Sequence, residues 1–258
     1  MTGALTVREL GGLDELARTP PLARSIWGEA DAPEDPILLH VLQHVGGLIA
    51  GAVDGQGQVW AYLVGLPTAQ PDTQHSHRLG VHPRCRRQGL GERLKHFQRA
   101  WCLERGVTRV RWTFDPLLLA NAHLNIHRLG AAAVTYLPNY YGEMTGINAG
   151  VPSDRFEVEW QLDSERVTAH LNGHAGDNWP AGEAFDPLHD GLPAETPDAL
   201  AVRVPADYYR MLREEPGRAL EWRRRTRPLF DSLFQAGHAL VDVDVAHQQY
   251  LFRRRVVC

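Results

Sequence analysis

The sequence predicts a mixed α/β fold, in which strand-like and helix-like segments alternate along the chain. Strand-like runs rich in β-branched and aromatic residues recur between segments with helical periodicity. Glycine and proline separate many of these runs. The 258 residues, 43% of them hydrophobic, can bury a substantial core, as one large domain or as a domain of ordinary size with an extension.

A strand and two helices open the chain. Residues 4–10 alternate between apolar and polar side chains, and Gly11-Gly12 ends this strand-like run. A helix is expected over residues 13–27, with an interruption near Pro20-Pro21. A second helix is expected over residues 37–45.

Two hairpin strands and a third strand come next. Residues 47–66 contain two β-rich runs on either side of the turn Asp54-Gly55-Gln56-Gly57, which is typical of a hairpin. Residues 75–83 form another strand-like run that ends at Pro83.

The period of the apolar residues then becomes helical. Leu90, Leu94, Phe97 and Trp101 stand at helical spacing, and Gly106 ends this helix. The remaining elements of the first part are expected to be a strand over 107–114, a short helix over 117–129, a strand over 131–137, a long loop over 138–154 and a strand over 155–162.

The last third of the chain predicts a separate small unit. Residues 163–198 contain a stretch rich in glycine, proline and aspartate, which favours a linker or lid. Residues 199–258 predict a β-α-β extension, with a helical region broken at Pro216 and a final strand-like run. We therefore expect a main domain over 1–162, a linker over 163–198 and an extension over 199–258.

Charge and composition limit the classes of function. The net charge of −4 argues against a general nucleic-acid-binding protein, despite arginine runs at 223–225 and 253–255. Between Arg78 and Arg111, however, ten basic residues stand against two acids, and this local positive field suits a small polyanion. Lys95, the single lysine, is interpreted as a bias of composition.

The absence of recognisable targeting signals and the cysteine pattern predict a cytoplasmic protein. No apolar stretch approaches the length of a membrane span and no signal peptide is recognisable, so we expect a soluble protein. Cys85, Cys102 and Cys258 show no disulfide or metal-ligand spacing, which fits a reducing compartment and incidental thiols.

Residues 79–94 (LGVHPRCRRQGLGERL) carry the most informative motif. A strand runs into a loop with Gly89 and Gly91, and the loop opens a helix whose first amide groups are free to bind an anion. The pattern lacks the three glycines of the dinucleotide-binding fingerprint and the Gly-Lys-Ser/Thr of a Walker loop. It predicts a pyrophosphate cradle; the alternative is a glycine-rich turn without a ligand.

This segment resembles the signature of the GCN5-related N-acetyltransferase (GNAT) superfamily, and the order of elements over 4–162 is similar to that fold. The resemblance implies a splayed, mostly antiparallel sheet and a catalytic domain that uses acetyl-CoA or another acyl-CoA as substrate, without a metal. Members of the family bind the pyrophosphate and the pantetheine arm at positions that correspond here to Leu79, Gly80, Val81, Arg86, Arg87, Gln88, Gly89, Leu90, Gly91 and Asn121.

Acyl transfer to an amine also needs a base and a donor for the oxyanion. His75 and His77 alternate along a strand and so face one side, and their spacing resembles that of the arylalkylamine N-acetyltransferases. A surface or hydrogen-bonded histidine pair is the alternative. The amide of Gly80 or Val81 is the expected oxyanion donor.

The general acid departs from the family pattern. The position where many members carry a tyrosine is Ile126, which leaves Tyr140 and Tyr141 as candidates beside a purely structural role. His123 and His127 lie four residues apart on a helix, but no third ligand supports a metal site.

The resemblance leaves the acceptor open. Three further segments, at 112–131, 136–144 and 154–160, resemble bacterial acyltransferase-like proteins connected with N-acylated amino acids, so a small-molecule amine is expected as acceptor. Arg111 or Arg155 would then bind a carboxylate. The alternative function is a non-catalytic acyl-CoA-binding protein. The extension is too small to bury its own apolar surface, so it is expected to pack on the main sheet or on a second copy of the chain, and a homodimer is expected.

Overall fold

The computed structural model describes residues 4–143, 150–173, 178–193 and 195–255. These residues form two compact units, one ending at Trp112 and the other beginning at Thr113. Cys258 and parts of the predicted loop and linker lie outside the described residues. In the described ranges, no helix has both the length and the apolar character needed to cross a bilayer.

The first unit contains an antiparallel meander flanked by helices. Its strand order is β1-β2-β3-β4-β5, and β4 and β5 are the parallel pair. Its elements are β1 (Thr6–Glu9), α1 (Gly12–Leu16), α2 (Thr19–Trp27), α3 (Pro36–His44), β2 (Leu48–Val53), β3 (Val59–Pro67), β4 (Thr73–Val81), a 3₁₀ turn (Pro83–Cys85), α4 (Leu90–Leu103) and the start of β5 (Arg109–Phe114).

Local chemistry explains most of these boundaries. The carboxylate of Asp54 accepts hydrogen bonds from the amides of Gln56 and Gln58, which closes the predicted hairpin turn. Pro20 and Pro21 occupy the first positions of α2, where a missing amide donor costs nothing, so the helix break precedes them. Leu10, Leu16, Leu39, Ile49 and Tyr62, among others, form the apolar core between the helices and the sheet.

The second unit contains an antiparallel sheet with the strand order β7-β6-β9-β10-β8. Its elements after β5 are α5 (Leu119–Ala122), a π-helical segment (His123–Arg128), β6 (Ala132–Leu137), β7 (Arg155–Gln161), α6 (Glu165–Leu171), β8 (Ala199–Arg203), α7 (Tyr208–Glu214), α8 (Pro216–Gln235), β9 (His238–Asp244) and β10 (Gln249–Arg254).

The mixed α/β fold class is confirmed, and three details differ from the expectation. The helix over 117–129 is α5 followed by a wider π turn, in which the Leu129 amide bonds to the Leu124 carbonyl. The predicted linker contains α6. The final run is a hairpin of two strands, so the extension is β-α-α-β-β, because Gln248 takes a left-handed turn conformation between them.

The strands of the extension continue the sheet of the second unit. Ala133 of β6 pairs with Leu240 of β9. Aromatic side chains from both sides of this junction pack together, with ring centroids 4.9 Å apart for Phe156 and Phe230 and 6.2 Å apart for Phe156 and Phe252. Residues 155–162 and 199–254 therefore share one core.

Candidate functional site

The strand β4 separates from β5 part-way along its length. The pairing between them runs from Thr73 with Arg109 to His75 with Arg111 and, among the described residues, goes no further. On its other side, Ser76 pairs with Gly65 and Arg78 with Val64, which leaves His77 as an extra residue in a β-bulge. The backbone of Ser76–Val81 therefore presents an edge that an extended ligand can join as an added strand.

The N-terminus of α4 lies directly after this edge. Gly89 is its cap residue in a left-handed conformation with φ of 69°, and no side chain caps the helix. A Cβ atom at Gly89 would have no atom within 4 Å, so the space before the helix is open. Arg86, Arg87 and Gln88 are exposed beside it, and this is a suitable site for a pyrophosphate.

The strand and helix that form this site are anchored by buried side chains. Leu90 and Leu94 of α4 are 2% and 0% exposed, and Cys85 in the connecting turn is also buried. The imidazole Nδ1 of His82 accepts a hydrogen bond from the Arg84 amide at 3.2 Å. The connection between β4 and α4 is therefore held in one conformation without using the exposed arginines.

His75 and His77 lie on the same side of β4, with ring centroids 6.4 Å apart. Burial, followed by the nearby His77 and Lys95, lowers the pKa of His75 below its usual value of 6.5. The imidazole of His75 is therefore neutral near neutral pH, the state that a base requires.

Two acids in the segment between α2 and α3 hold this side of β4. Glu34 Oε1 lies 3.0 Å from His77 Nε2 and 3.0 Å from Arg78 Nε, and Asp31 Oδ2 accepts a hydrogen bond from Arg78 Nη1 at 2.7 Å. Burial alone would raise the pKa of Glu34, but the hydrogen bond from His77 and the charge of Arg78 hold it below its usual value. The cluster of acidic residues at 29–35 could have indicated partners for the basic side chains of β4, but the sequence did not lead us to predict them.

Gly80 is required for packing as well as for its backbone groups. A Cβ atom there would lie 2.6 Å from Cη2 of Trp27 and 2.8 Å from Cδ1 of Ile26, both on α2. The absence of a side chain therefore lets α2 pack closely on β4. The amides of Gly80 and Val81, the predicted oxyanion donors, lie on the part of β4 that extends past the last pair with β5.

Lys95, whose occurrence as the single lysine was interpreted as a bias of composition, is buried and contacts three side chains of the first unit. Its ammonium donates to Ser76 Oγ at 2.8 Å and Gln98 Oε1 at 3.0 Å, and lies 3.8 Å from the ring centroid of Trp112. Burial lowers the pKa of Lys95 to about 7. This polar cluster connects α4 to β4 behind the histidine pair.

Residues 14–130 match the sequence model of the Acetyltransferase (GNAT) family. Those residues belong to the GNAT acetyltransferase family. Among curated proteins, none matches the sequence significantly.

Solved structures show the same fold for the GNAT domain. The ribosomal-protein-S18-alanine N-acetyltransferase from Escherichia coli is 19% identical, with a TM-score of 0.51 over 62% of this chain and 95% of that one. A putative acetyltransferase from Salmonella typhimurium, solved with its cofactor acetyl-CoA, is 19% identical with a TM-score of 0.51 over 63% and 96%. An aminoglycoside 6'-acetyltransferase type Ii is 16% identical with a TM-score of 0.51 over 62% and 99%.

The predicted site residues fall in both units. His75, His77, the backbone of 79–81 and the loop 86–91 lie together in the first unit, along β4 and at the start of α4. Asn121 is exposed in the first turn of α5, in the second unit. Ile126, where the resemblance led us to expect a tyrosine, is fully buried in the π-helical segment.

Tyr140 and Tyr141 form an exposed pair in the second unit, where 52% and 53% of their surfaces are accessible. Their rings meet edge to face with centroids 4.7 Å apart. The Tyr141 hydroxyl lies 3.1 Å from Thr113 Oγ1, and the Arg155 guanidinium lies 5.1 Å from the Tyr141 ring centroid. The pair is therefore accessible to a ligand, as a substrate-contacting group must be.

The two histidines of the π-helical segment contact each other, and one of them contacts β9. The rings of His123 and His127 stack with centroids 4.8 Å apart, and His127 Nδ1 lies 2.8 Å from Asp242 Oδ1 on β9. No group of three or more potential metal ligands occurs in the described ranges. Asp242 is 115 residues away in sequence, so its pairing with His127 was not visible from the sequence.

Proposed function

We propose that the chain is an acyl-CoA-dependent N-acyltransferase that moves an acetyl or other acyl group from coenzyme A to the amine of a small molecule, with amino acids as one candidate class. The observation that carries this proposal is the edge of β4 beyond His75, which leads directly to the uncapped start of α4. An extended pantetheine arm suits the first feature, and a pyrophosphate suits the second.

The residues of the first unit supply most of the chemistry in this proposal. Arg86, Arg87, Gln88 and the amides at Gly89–Gly91 hold the pyrophosphate, while the backbone of 79–81 pairs with the pantetheine arm. Neutral His75, with His77 beside it, takes a proton from the acceptor amine. The amine nitrogen then bonds to the carbonyl carbon, and the amide of Gly80 or Val81 stabilises the oxyanion.

The second unit supplies the remaining roles. Collapse of the tetrahedral intermediate breaks the carbon–sulfur bond, and the departing thiolate takes a proton. Tyr140 or Tyr141 is the proposed donor, because both hydroxyl-bearing side chains are exposed whereas Ile126 is buried and carries no proton. Asn121 is proposed to contact the pantetheine portion.

Turnover of acetyl-CoA with a panel of amines tests this proposal. Release of the coenzyme A thiol should depend on an amine, and calorimetry should show binding of coenzyme A to the chain without an acceptor. Binding without turnover would favour the second candidate, a non-catalytic acyl-CoA-binding protein, which the buried Ile126 supports. Absence of binding would exclude both.

A homodimer remains part of the proposal. The extension buries its apolar surface within the second unit, so the original reason for a dimer is weaker. Apolar side chains of α3 and its C-terminal cap residue, such as Ile37, Val41 and Val45, are 64%, 49% and 56% exposed and favour an association surface on the first unit. Light scattering measures the oligomeric state.

A further inference from the structure

The carboxylate of Asp154 is a buried hub at the end of the predicted loop 138–154. It is fully buried and accepts four hydrogen bonds within the second unit. Arg227 of α8 donates to Oδ1 through Nη2 at 2.6 Å and to Oδ2 through Nε at 3.2 Å. The hydroxyl of Tyr136 and the amide of Asn139 donate at 2.6 and 2.9 Å.

The same hub fixes the turn that carries the two exposed tyrosines, residues 139–142, which we call the tyrosine turn. The Tyr140 amide donates to the Ser153 carbonyl at 3.1 Å, and the Tyr141 amide donates to Ser153 Oγ at 2.9 Å. Ser153 Oγ in turn donates to the Gly142 carbonyl at 2.8 Å. Asp154 and its neighbour Ser153 therefore determine the position of the tyrosine turn.

A second arginine of α8 makes a parallel contact one helical turn away. Arg223, 1% exposed, donates through Nη2 to Asp115 Oδ2 at 2.5 Å. Asp115 Oδ1 accepts from the Leu117 amide at 2.9 Å and so begins the segment that leads to Asn121. Arg223 and Arg227 lie side by side on α8, as residues four apart on a helix do.

The two contacts differ in what remains when the arginine is lost. Loss of Arg223 leaves Asp115 near a second arginine, since Arg155 Nη1 lies 3.6 Å from Asp115 Oδ2. Loss of Arg227 leaves the fully buried Asp154 without the arginine that neutralises it, which also costs stability. The two-point contact of Arg227 with Asp154 needs the planar guanidinium, which lysine does not have. Arg227→Lys, which keeps the charge and loses this geometry, is therefore the variant that separates positioning from folding.

We propose that the C-terminal extension positions the proposed proton donors, with Arg227 as a positioning residue that holds the tyrosine turn through Asp154. The part of this inference that concerns proton donation by Tyr140 or Tyr141 rests on the proposed function. A helix of the extension then fixes the conformation of the two tyrosines without providing a catalytic group itself.

Three variants test the inference. In Arg227→Met, amide hydrogen exchange at Asn139, Tyr140 and Tyr141 should accelerate about tenfold, because the local opening of this turn becomes easier. Arg227→Lys should give an intermediate rate. Arg224→Met is the matched control, because Arg224 is an exposed arginine on the same helix, and it should leave the exchange unchanged.

Kinetics provide the second measurement. The kcat of acyl transfer should fall about tenfold in Arg227→Met, while the affinity for acetyl-CoA stays as in the control, because a misplaced proton donor slows loss of the thiolate without changing the binding of coenzyme A. Ser153→Ala removes the bond to the Tyr141 amide without changing a charge, and it should reproduce the loss of kcat even if Arg227→Met fails to fold.

The other outcomes either overturn the inference or separate it from the proposed function. Unchanged exchange of the tyrosine turn in Arg227→Met would overturn the positioning role. Faster exchange with an unchanged kcat would show that the tyrosine turn does not act in the reaction, which also overturns the inference. If no amine is acylated, the proposed function fails by itself, and the exchange rates of Arg227→Met and Arg224→Met still decide whether α8 holds the turn.

Discussion

At the scale of single residues, the two faces of β4 carry different chemistry. His75 and His77 lie on one face, and Ser76 on the other face receives the buried Lys95. The charge of Lys95 contributes to the lowered pKa of His75, after burial and His77. A cation that is buried behind the strand therefore favours the neutral imidazole in front of it.

The histidine pair gives a prediction about pH. A base works in its neutral form, and the pKa of His75 lies below 6.5, so kcat/KM should fall only as the pH drops through that lowered value. The double change His75→Gln and His77→Gln should reduce kcat about 10²-fold and remove this acidic limb. Stopped assays across pH 5–9 (about the range in which histidine titrates) measure both effects.

The control for this prediction is His40→Gln, which alters an exposed histidine on α3. Its pH profile should match that of the unaltered chain, and coenzyme A should bind equally well to all three proteins. A double variant that keeps both its rate and its acidic limb would contradict the role of His75 and His77.

The sequence predicted the placements that depend on local order, and it missed those that depend on distant contacts. His75 and His77 were visible because alternation along a strand places them on one face. Glu34 contacts His77 from 43 residues away, and Lys95 reaches Ser76 across 19 residues. Neither separation has a periodic signal, so only packing of α4 and of the segment between α2 and α3 on β4 reveals these partners.

At the scale of elements, the connection from β4 to α4 must meet two conformational requirements. The chain must leave the strand and start a helix, and Gly89 does so with a positive φ of 69°. Gly106, with φ of 75°, ends the same helix, and a Cβ atom at either glycine would have open space around it. The two positions therefore differ in which end of the helix dipole they adjoin.

The shared conformation and open surroundings of these two glycines allow a matched pair of variants. Gly89→Val and Gly106→Val should lose similar amounts of stability, because a β-branched residue is strained at positive φ. Gly89→Val alone should weaken binding of coenzyme A, by about tenfold or more, since only the N-terminal end presents amides to an anion. Calorimetry with coenzyme A measures the affinity, and equal affinity in both variants would rule out a pyrophosphate site at Gly89.

The bounds of helices and strands could be predicted where the period of the apolar residues and the turn residues indicate the same element. The hairpin of β2 and β3 and the helix α4 have both signals, and their bounds match the expectation closely. The π-helical segment at His123–Arg128 has an ordinary helical sequence, so its wider turn was not visible. The division of residues 238–255 into β9 and β10 was missed because Ala246 and His247 are not typical turn residues.

At the scale of the whole molecule, the extension and the end of the GNAT fold share an aromatic core in the second unit. The rings of Phe156 on β7 and Tyr136 on β6 contact Phe230 of α8 with centroids 4.9 and 6.0 Å apart. Phe252 of β10 contacts Phe230 at 5.6 Å. Phe156, Phe230 and Phe252 are fully buried, so neither part of this unit closes its core alone.

Truncation after Asp163 should therefore unfold the chain. A buried phenylalanine contributes about 3–5 kcal/mol to stability, and the truncation removes the fully buried Phe230 and Phe252 together. Their combined loss, about 6–10 kcal/mol, is comparable to the whole free energy of unfolding of a typical protein, about 5–15 kcal/mol. We expect loss of the cooperative thermal transition in circular dichroism and binding of a hydrophobic dye to the exposed faces of β6 and β7.

Truncation after Arg255, which leaves this core intact, is the control and should melt like the full chain. A form ending at Asp163 that melts cooperatively and binds coenzyme A would show instead that the extension is an independent appendage.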